Sequence, residues 1–236
     1  MKAYVAICLA FCILAGPGVA ASDTLVNFVR PAGELRDALY WTLLENTLCR
    51  TAGDLIRYCV VPSAQLGEVC IGLKFDGKRN EYVLTRRAAS KSIYYCIHGT
   101  ASDNLLPVDR CGKLPIKQSS VTLDKSTAEC LIELWSRELA KVSPAEREGR
   151  AVTLDGPTQI LAQRNANGQV SSGEWPDEEG PRLEALLALI NRLDRSCLLG
   201  GKQGSVLAKD AVDRIAVPLL TDSVGNKWGQ ATNLDN

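Results

Sequence analysis

Nine cysteines in 236 residues constrain this chain more than any other feature. Two of them, Cys8 and Cys12, sit in an apolar run from Ala3 to Gly16 that follows the positive charge of Lys2. The small residues Gly18-Val19-Ala20-Ala21 come next. A positive start, a short apolar stretch and a small-residue exit are the parts of a secretory signal peptide. Residues 1–21 are therefore expected to be removed, by cleavage after Ala20 or Ala21. Ile7 and Phe11 precede the two cysteines, where a lipid-attachment site wants a small residue, so lipidation is not expected. The run is short for a membrane span, and no stable membrane insertion is expected after cleavage.

The seven cysteines left are Cys49, Cys59, Cys70, Cys96, Cys111, Cys130 and Cys197. An exported chain meets an oxidising compartment, where disulfides are the default. Seven sulfurs allow up to three bridges and leave one thiol. That thiol is buried and inert, paired with a second chain, or reactive. Zinc is not expected, because no Cys-x2-Cys pair occurs and His98 is the only histidine. Gly-rich phosphate loops, His-Glu-x-x-His and calcium-loop patterns are missing too, so neither metal nor cofactor is expected.

Charge excludes some partners. There are 27 basic and 27 acidic residues, and loss of Lys2 leaves 26 against 27. Nucleic-acid binding needs a basic face, and an anionic membrane surface attracts one; this balance supports neither. The residues after position 21, about 215 of them, suffice for a proper core. Residues 22–220 read as a disulfide-stabilised α+β domain, with 143–150 as the place where two lobes would meet. Residues 221–236 read as a flexible polar tail. The oligomeric state is not encoded in any feature of the sequence.

The clearest element is Pro181–Leu199, where Leu183, Leu186, Leu187, Ile190 and Cys197 recur at helical spacing. Pro181 suits a first helical turn, and Gly200-Gly201 stops the helix. Cys197 falls on the apolar stripe, which predicts a helix stapled to the core. Upstream, residues 25–29 suggest an edge strand, and Pro31 opens a helix to about Cys49. Residues 51–61 are ambiguous, with Leu55, Ile56, Cys59 and Val60 at helical spacing before Pro62. Glu68–Phe75 alternates as a strand, Asp76-Gly77 turns, and Tyr82–Thr85 returns. Lys91–His98 alternates as well and predicts a third strand, with Gly99–Ser119 as a long connection. Cys70 and Cys96 are expected off the aliphatic face, within reach of a covering helix bearing Cys49 or Cys59.

Ser126-Thr-Ala-Glu129 is a capping-box pattern opening a helix whose stripe is Ala128, Leu131, Ile132, Trp135, Leu139 and Val142. Cys130 lies off that stripe, which predicts a bridge to Cys111. Asn165-Ala-Asn167-Gly168 marks a hairpin, and Val206–Leu220 is a last apolar segment broken by Pro218. The order Trp135 helix, Leu154-Asp155-Gly156, hairpin, Trp175-Pro176 and Leu-rich helix resembles uncharacterised exported bacterial α+β proteins. The likeness covers residues 121–199 and implies an exported α+β domain without a known activity.

Three groups are candidate sites. Cys96 and His98 share a face if residues 91–98 are a strand, and a thiolate–imidazolium pair would be a nucleophile. Asp124 and Asp155 would lie on one edge of a parallel βαβ unit, where ligands bind. Arg86, Arg87 and Lys91, with Lys78-Arg79, form a basic group on the hairpin, fit for edge protection or a partner. No group orients His98, and Gly-x-Ser-x-Gly is missing. The sequence thus favours an exported, non-enzymatic module, possible as an inhibitor or immunity-like protein, that binds a protein or envelope component in the periplasm or outside the cell. A thiol or hydrolase enzyme using Cys96 and His98 is the alternative.

Overall fold

A computed structural model describes residues 26–27, 35–49, 53–61, 67–98, 111–141, 158–165, 167–168, 170–174 and 180–221. The signal-peptide residues 1–21, the lobe boundary 143–150, Asp155 and residues 222–236 of the tail lie outside them. In chain order the elements are β1 (Val26–Asn27), α1 (Leu35–Thr47), β2 (Asp54–Val61), β3 (Val69–Asp76), β4 (Glu81–Ala89) and α2 (Ile93–His98). There follow β5 (Ile116–Leu123), α3 (Lys125–Ala140), β6 (Thr158–Arg164), β7 (Val170–Glu174), α4 (Pro181–Leu199) and α5 (Gly201–Ala211). A π-helical turn at Val212–Ala216 leads into α6 (Val217–Thr221).

The fold is α+β. Its strands form one sheet in the order β1-β7-β6-β2-β3-β4-β5, and every neighbouring pair is antiparallel. The strands before and after residues 143–150 therefore share one sheet, with β6 lying against β2. Side chains alternate between the two faces. Ile56, Tyr58, Ile71, Leu73, Leu84, Val121, Leu123 and Leu161 point into a large core shared with α3, α4, α5 and the last helical turns. Cys59, Cys70 and Ala89 point the other way, into a smaller core under α1 and α2. Both faces of the sheet are thus covered, by unequal helical layers.

Residues 181–199 form the helix their periodicity predicts, with Pro181 at its start and Gly200 at φ +62° ending it. The chain then turns directly into α5. A Cβ at Gly204 would stand 2.3 Å from the Ser196 carbonyl oxygen, so only glycine lets α5 lie this close to α4. The two hairpins also form where expected. Asn165 accepts from Gly168 N at its carbonyl and from Asn167 N at its side chain, and Gly168 adopts φ +80°. Asp76 holds the other turn through Lys78 N and Arg79 N, with Asn80 at φ +56°.

Several expectations are corrected. Residues 93–98 are a helix, not a third strand: Ile93, Cys96 and Ile97, at i, i+3 and i+4, are the buried positions. Residues 54–61, ambiguous from the sequence, are a central strand, paired on both sides. β5 begins at Ile116, inside the stretch expected to be a connection. Pro218 does not break the last segment. Val217 N donates to Val212 O five residues back, and this widened turn takes the proline ring into a continuous helical run.

The sulfur pairing also differs. Cys111 is bonded to Cys96, not to Cys130, with Cα atoms 5.6 Å apart. Cys130 is a half-buried free thiol packed against the large core. Cys197 staples nothing: it is a free, buried thiol whose Sγ lies 3.7 Å from the Leu84 carbonyl oxygen.

Candidate functional site

The smaller core contains three cysteines that arrive from three elements. Cys49 follows α1, its amide bonded to Leu44 O at 3.2 Å. Cys59 on β2 and Cys70 on β3 are direct cross-strand partners. The sulfurs stand 3.3 Å (Cys49–Cys59), 3.4 Å (Cys49–Cys70) and 2.7 Å (Cys59–Cys70) apart. All three residues are at least nine-tenths buried, Cys49 being the most exposed at 7%. Tyr40, Leu44, Leu48, Ile93 and Ile97 belong to the same cluster.

These distances decide what the cluster can hold. Three sulfurs within 4.8 Å of one another are a possible set of metal ligands. A metal–sulfur distance of about 2.3 Å, however, separates the sulfurs by roughly 3.8 Å in a tetrahedron and 4.0 Å in a trigonal plane. Every observed separation is shorter, so a metal does not fit this arrangement. A covalent S–S bond is about 2.05 Å. The Cys59–Cys70 pair, at 2.7 Å, lies between bond and contact.

The electrostatics distinguish the three sulfurs when all are reduced. Cys49 accepts S–H hydrogen bonds from Cys59 and from Cys70, and it faces Arg57 and Arg87. These effects outweigh burial and pull its thiol down to about 4. Cys59 is pushed up, first because it donates to Cys49; Cys70 is pushed up chiefly by burial. Cys49 is thus the sulfur that ionises.

Beside this cluster lies a carboxylate that sequence reasoning missed. Glu68 is fully buried. It accepts from Ile93 N (2.8 Å), Tyr94 N (3.0 Å) and Ser92 Oγ (3.0 Å), with Tyr40 OH at 3.5 Å. Ser92 Oγ in turn accepts from Tyr95 N. Glu68, the residue before β3, therefore supplies acceptors that the first turn of α2 lacks. Burial, then Glu68, pushes the Tyr40 phenol up, so that it remains a donor.

The candidate residues from the sequence do not converge. Cys96 is in the disulfide with Cys111, which leaves no free thiol at that sulfur. Residues 93–98 are a helix, so the strand face that Cys96 and His98 were expected to share is not formed. Asp124 caps α3: its carboxylate accepts from Thr127 N at 2.9 Å, Thr127 Oγ1 at 2.9 Å and Ser126 Oγ at 2.6 Å. β5, which ends just before Asp124, pairs antiparallel with β4, and the second strand of the expected βαβ unit, ending at Asp155, lies outside the described residues.

Arg86 and Arg87 alternate to opposite faces. Arg86 Nε pairs with Asp194 Oδ1 at 2.6 Å, and Arg87 Nε donates to Gln118 Oε1 at 3.2 Å. Lys91 is exposed past the end of β4, while Lys78 and Arg79 lie in the turn at its other end. The basic group is dispersed along the strand.

No protein-family model, curated protein or solved structure matches this chain.

Proposed function

We propose that this protein is an exported binding module whose contact surface is the α4–α5 helical hairpin. The supporting observation is a set of large aliphatic side chains left in water there. Val206 is 61% exposed, Leu198 58% and Leu199 51%, on otherwise well-packed helices. These are three of the six large hydrophobics exposed among the described residues, the others being Phe75, Val170 and Val217, and apolar side chains gathered on successive helices with a polar rim are the ordinary signature of a protein contact. A shallow groove runs along α5, lined by Lys202, Gln203, Val206, Leu207 and Asp210. Asp210 is already held by Arg192 at 3.2 Å and Arg214 at 2.6 Å. The positive charge of Lys202 is thus the groove's offer to a partner. The partner we infer is a protein of the envelope or exterior that presents an aliphatic side chain beside a carboxylate.

A photo-crosslinking residue placed at Val206 tests this in the exporting cell. The expected result is a discrete adduct that is missing when the probe is at Lys78, in the far turn, and lost with Lys202→Glu. Equal labelling at both positions, or adducts indifferent to Lys202→Glu, would refute the surface. Amino-terminal sequencing of the fractionated protein tests export separately, with a start at Ala21 or Ser22 expected.

A further inference from the structure

We propose that Cys49, Cys59 and Cys70 form a redox modification site: Cys59–Cys70 is its resting disulfide, and Cys49 is the sulfur through which oxidation enters. Three observations carry this. Cys59 and Cys70 are cross-strand partners with the shortest sulfur separation, 2.7 Å. Cys49 stands broadside to that pair at nearly equal distances, 3.3 and 3.4 Å, so it can reach either sulfur. Cys49 is also the most exposed of the three and the one facing the arginine charges.

The chemistry balances with a disulfide donor as oxidant, either a low-molecular-weight disulfide or a protein disulfide. The Cys49 thiolate attacks the donor, forms a mixed disulfide and releases one donor thiolate. Cys70, losing its proton to the departing donor sulfur, attacks Cys49 Sγ and releases the second donor thiol, which gives Cys49–Cys70. Cys59, after losing its proton to solvent or to the departing sulfur, attacks Cys70 Sγ, and Cys49 leaves as a thiolate. Two electrons have passed from the protein to the donor, and the last step is redox-neutral. The sulfur with the lowest proton affinity leaves fastest, which directs the final bond to Cys59–Cys70. Exchange needs the attacking sulfur in line with the bond it breaks. The three sulfurs form a near-equilateral triangle in which no attack is in line, so the exchange belongs to refolding, before the core closes, and the resting pair is held afterwards.

The choice of pair matters for the fold. Cys59–Cys70 joins two strands and leaves α1 without a covalent tie to the sheet. A bond to Cys49 ties the end of α1 to the sheet. The site therefore has a tethered intermediate and an untethered product.

The test is refolding of reduced, purified protein with oxidised glutathione, trapping with acid and N-ethylmaleimide, and non-reducing peptide mapping. This does not depend on export or on the proposed partner surface. The expected product is a Cys59–Cys70 peptide, with Cys49 alkylated only after denaturation. C49S should keep that bond but form it roughly tenfold or more slowly, because the entry thiol is lost. C59S should move the bond to Cys49–Cys70, and C70S to Cys49–Cys59. Failure of C59S or C70S to fold leaves the wild-type map and the C49S rate as decisive tests. Alkylation of Cys49, Cys59 and Cys70 together, a final bond at Cys49, a metal retained by the trio in native mass spectra, or unchanged C49S kinetics would each overturn the proposal.

Discussion

Replacement of Glu68 by glutamine changes one oxygen to an NH2 group and nothing else in shape. The carboxylate faces two backbone N–H donors, Ile93 N on Oε2 and Tyr94 N on Oε1. Whichever way the amide is turned, its NH2 points at one of those donors, so one amide of α2 loses its acceptor. Ser92 Oγ can rotate to accept, but a backbone N–H cannot. A hydrogen bond to a charged group contributes about 1.5–3 kcal/mol, and the bond that remains is weakened to a neutral one worth about 1. Relief of the buried charge offsets part of this. The expected net loss for Glu68→Gln is about 2–3 kcal/mol, a large fraction of the 5–15 kcal/mol typical of a folded domain. Glu68→Ala also opens a cavity and should cost about 4 kcal/mol. The assays are urea unfolding with disulfides intact and hydrogen exchange at the Ile93 and Tyr94 amides. Loss of protection confined to α2, with a shift of the midpoint, is expected. A Glu68→Gln variant within about 0.5 kcal/mol of wild type, with both amides still protected, refutes the reasoning, since that is the noise of an ordinary surface change.

Other perturbations test other joints. Gly204→Ala drives a methyl against the Ser196 carbonyl oxygen and should lower stability by about 1–3 kcal/mol in chemical unfolding; no loss would mean that α5 moves off α4 freely. Glu138 is 2% exposed and holds Arg182 and Lys141. Glu138→Ala leaves the largely buried Arg182 guanidinium without its carboxylate and should cost about 3 kcal/mol, read in the same experiment. Asp124→Ala should cost about 1 kcal/mol through the lost cap. Its hydrogen bonds to Ser126 Oγ and Thr127 N lower the carboxyl from 3.8 to about 2. The cap is therefore complete above pH 3.8 and lost as pH falls through about 2, so the gap in stability between wild type and Asp124→Ala should narrow across that window; a gap as large at pH 2 as at neutral pH contradicts this.

Legibility followed contrast. In α4 the buried residues Leu183, Leu186, Ile190, Leu193 and Cys197 alternate with exposed polar ones, and the periodicity shows through. Residues 93–98 offer no such contrast, since Ile, Tyr and Cys occupy both possible strand faces. What decides for helix is Glu68, 25 residues upstream of Ile93, and no local pattern announces it. Cys111 was assigned to the nearest helix in sequence, whereas the chain brings it to Cys96. The three-cysteine cluster did leave a signal. Once residues 54–61 are taken as a strand antiparallel to 69–76, Cys59 falls opposite Cys70. The helical spacing of Leu55, Ile56, Cys59 and Val60 concealed it. Cys49 could not be placed without the tertiary packing of α1 on that face.

The most direct measurement is a thiol count on the denatured, unreduced protein after loss of residues 1–21. Cys96–Cys111 and one bond within the trio leave Cys130, Cys197 and one trio sulfur, so the account predicts three free thiols. A count of five, which is Cys96–Cys111 alone, or of seven or one, would contradict it.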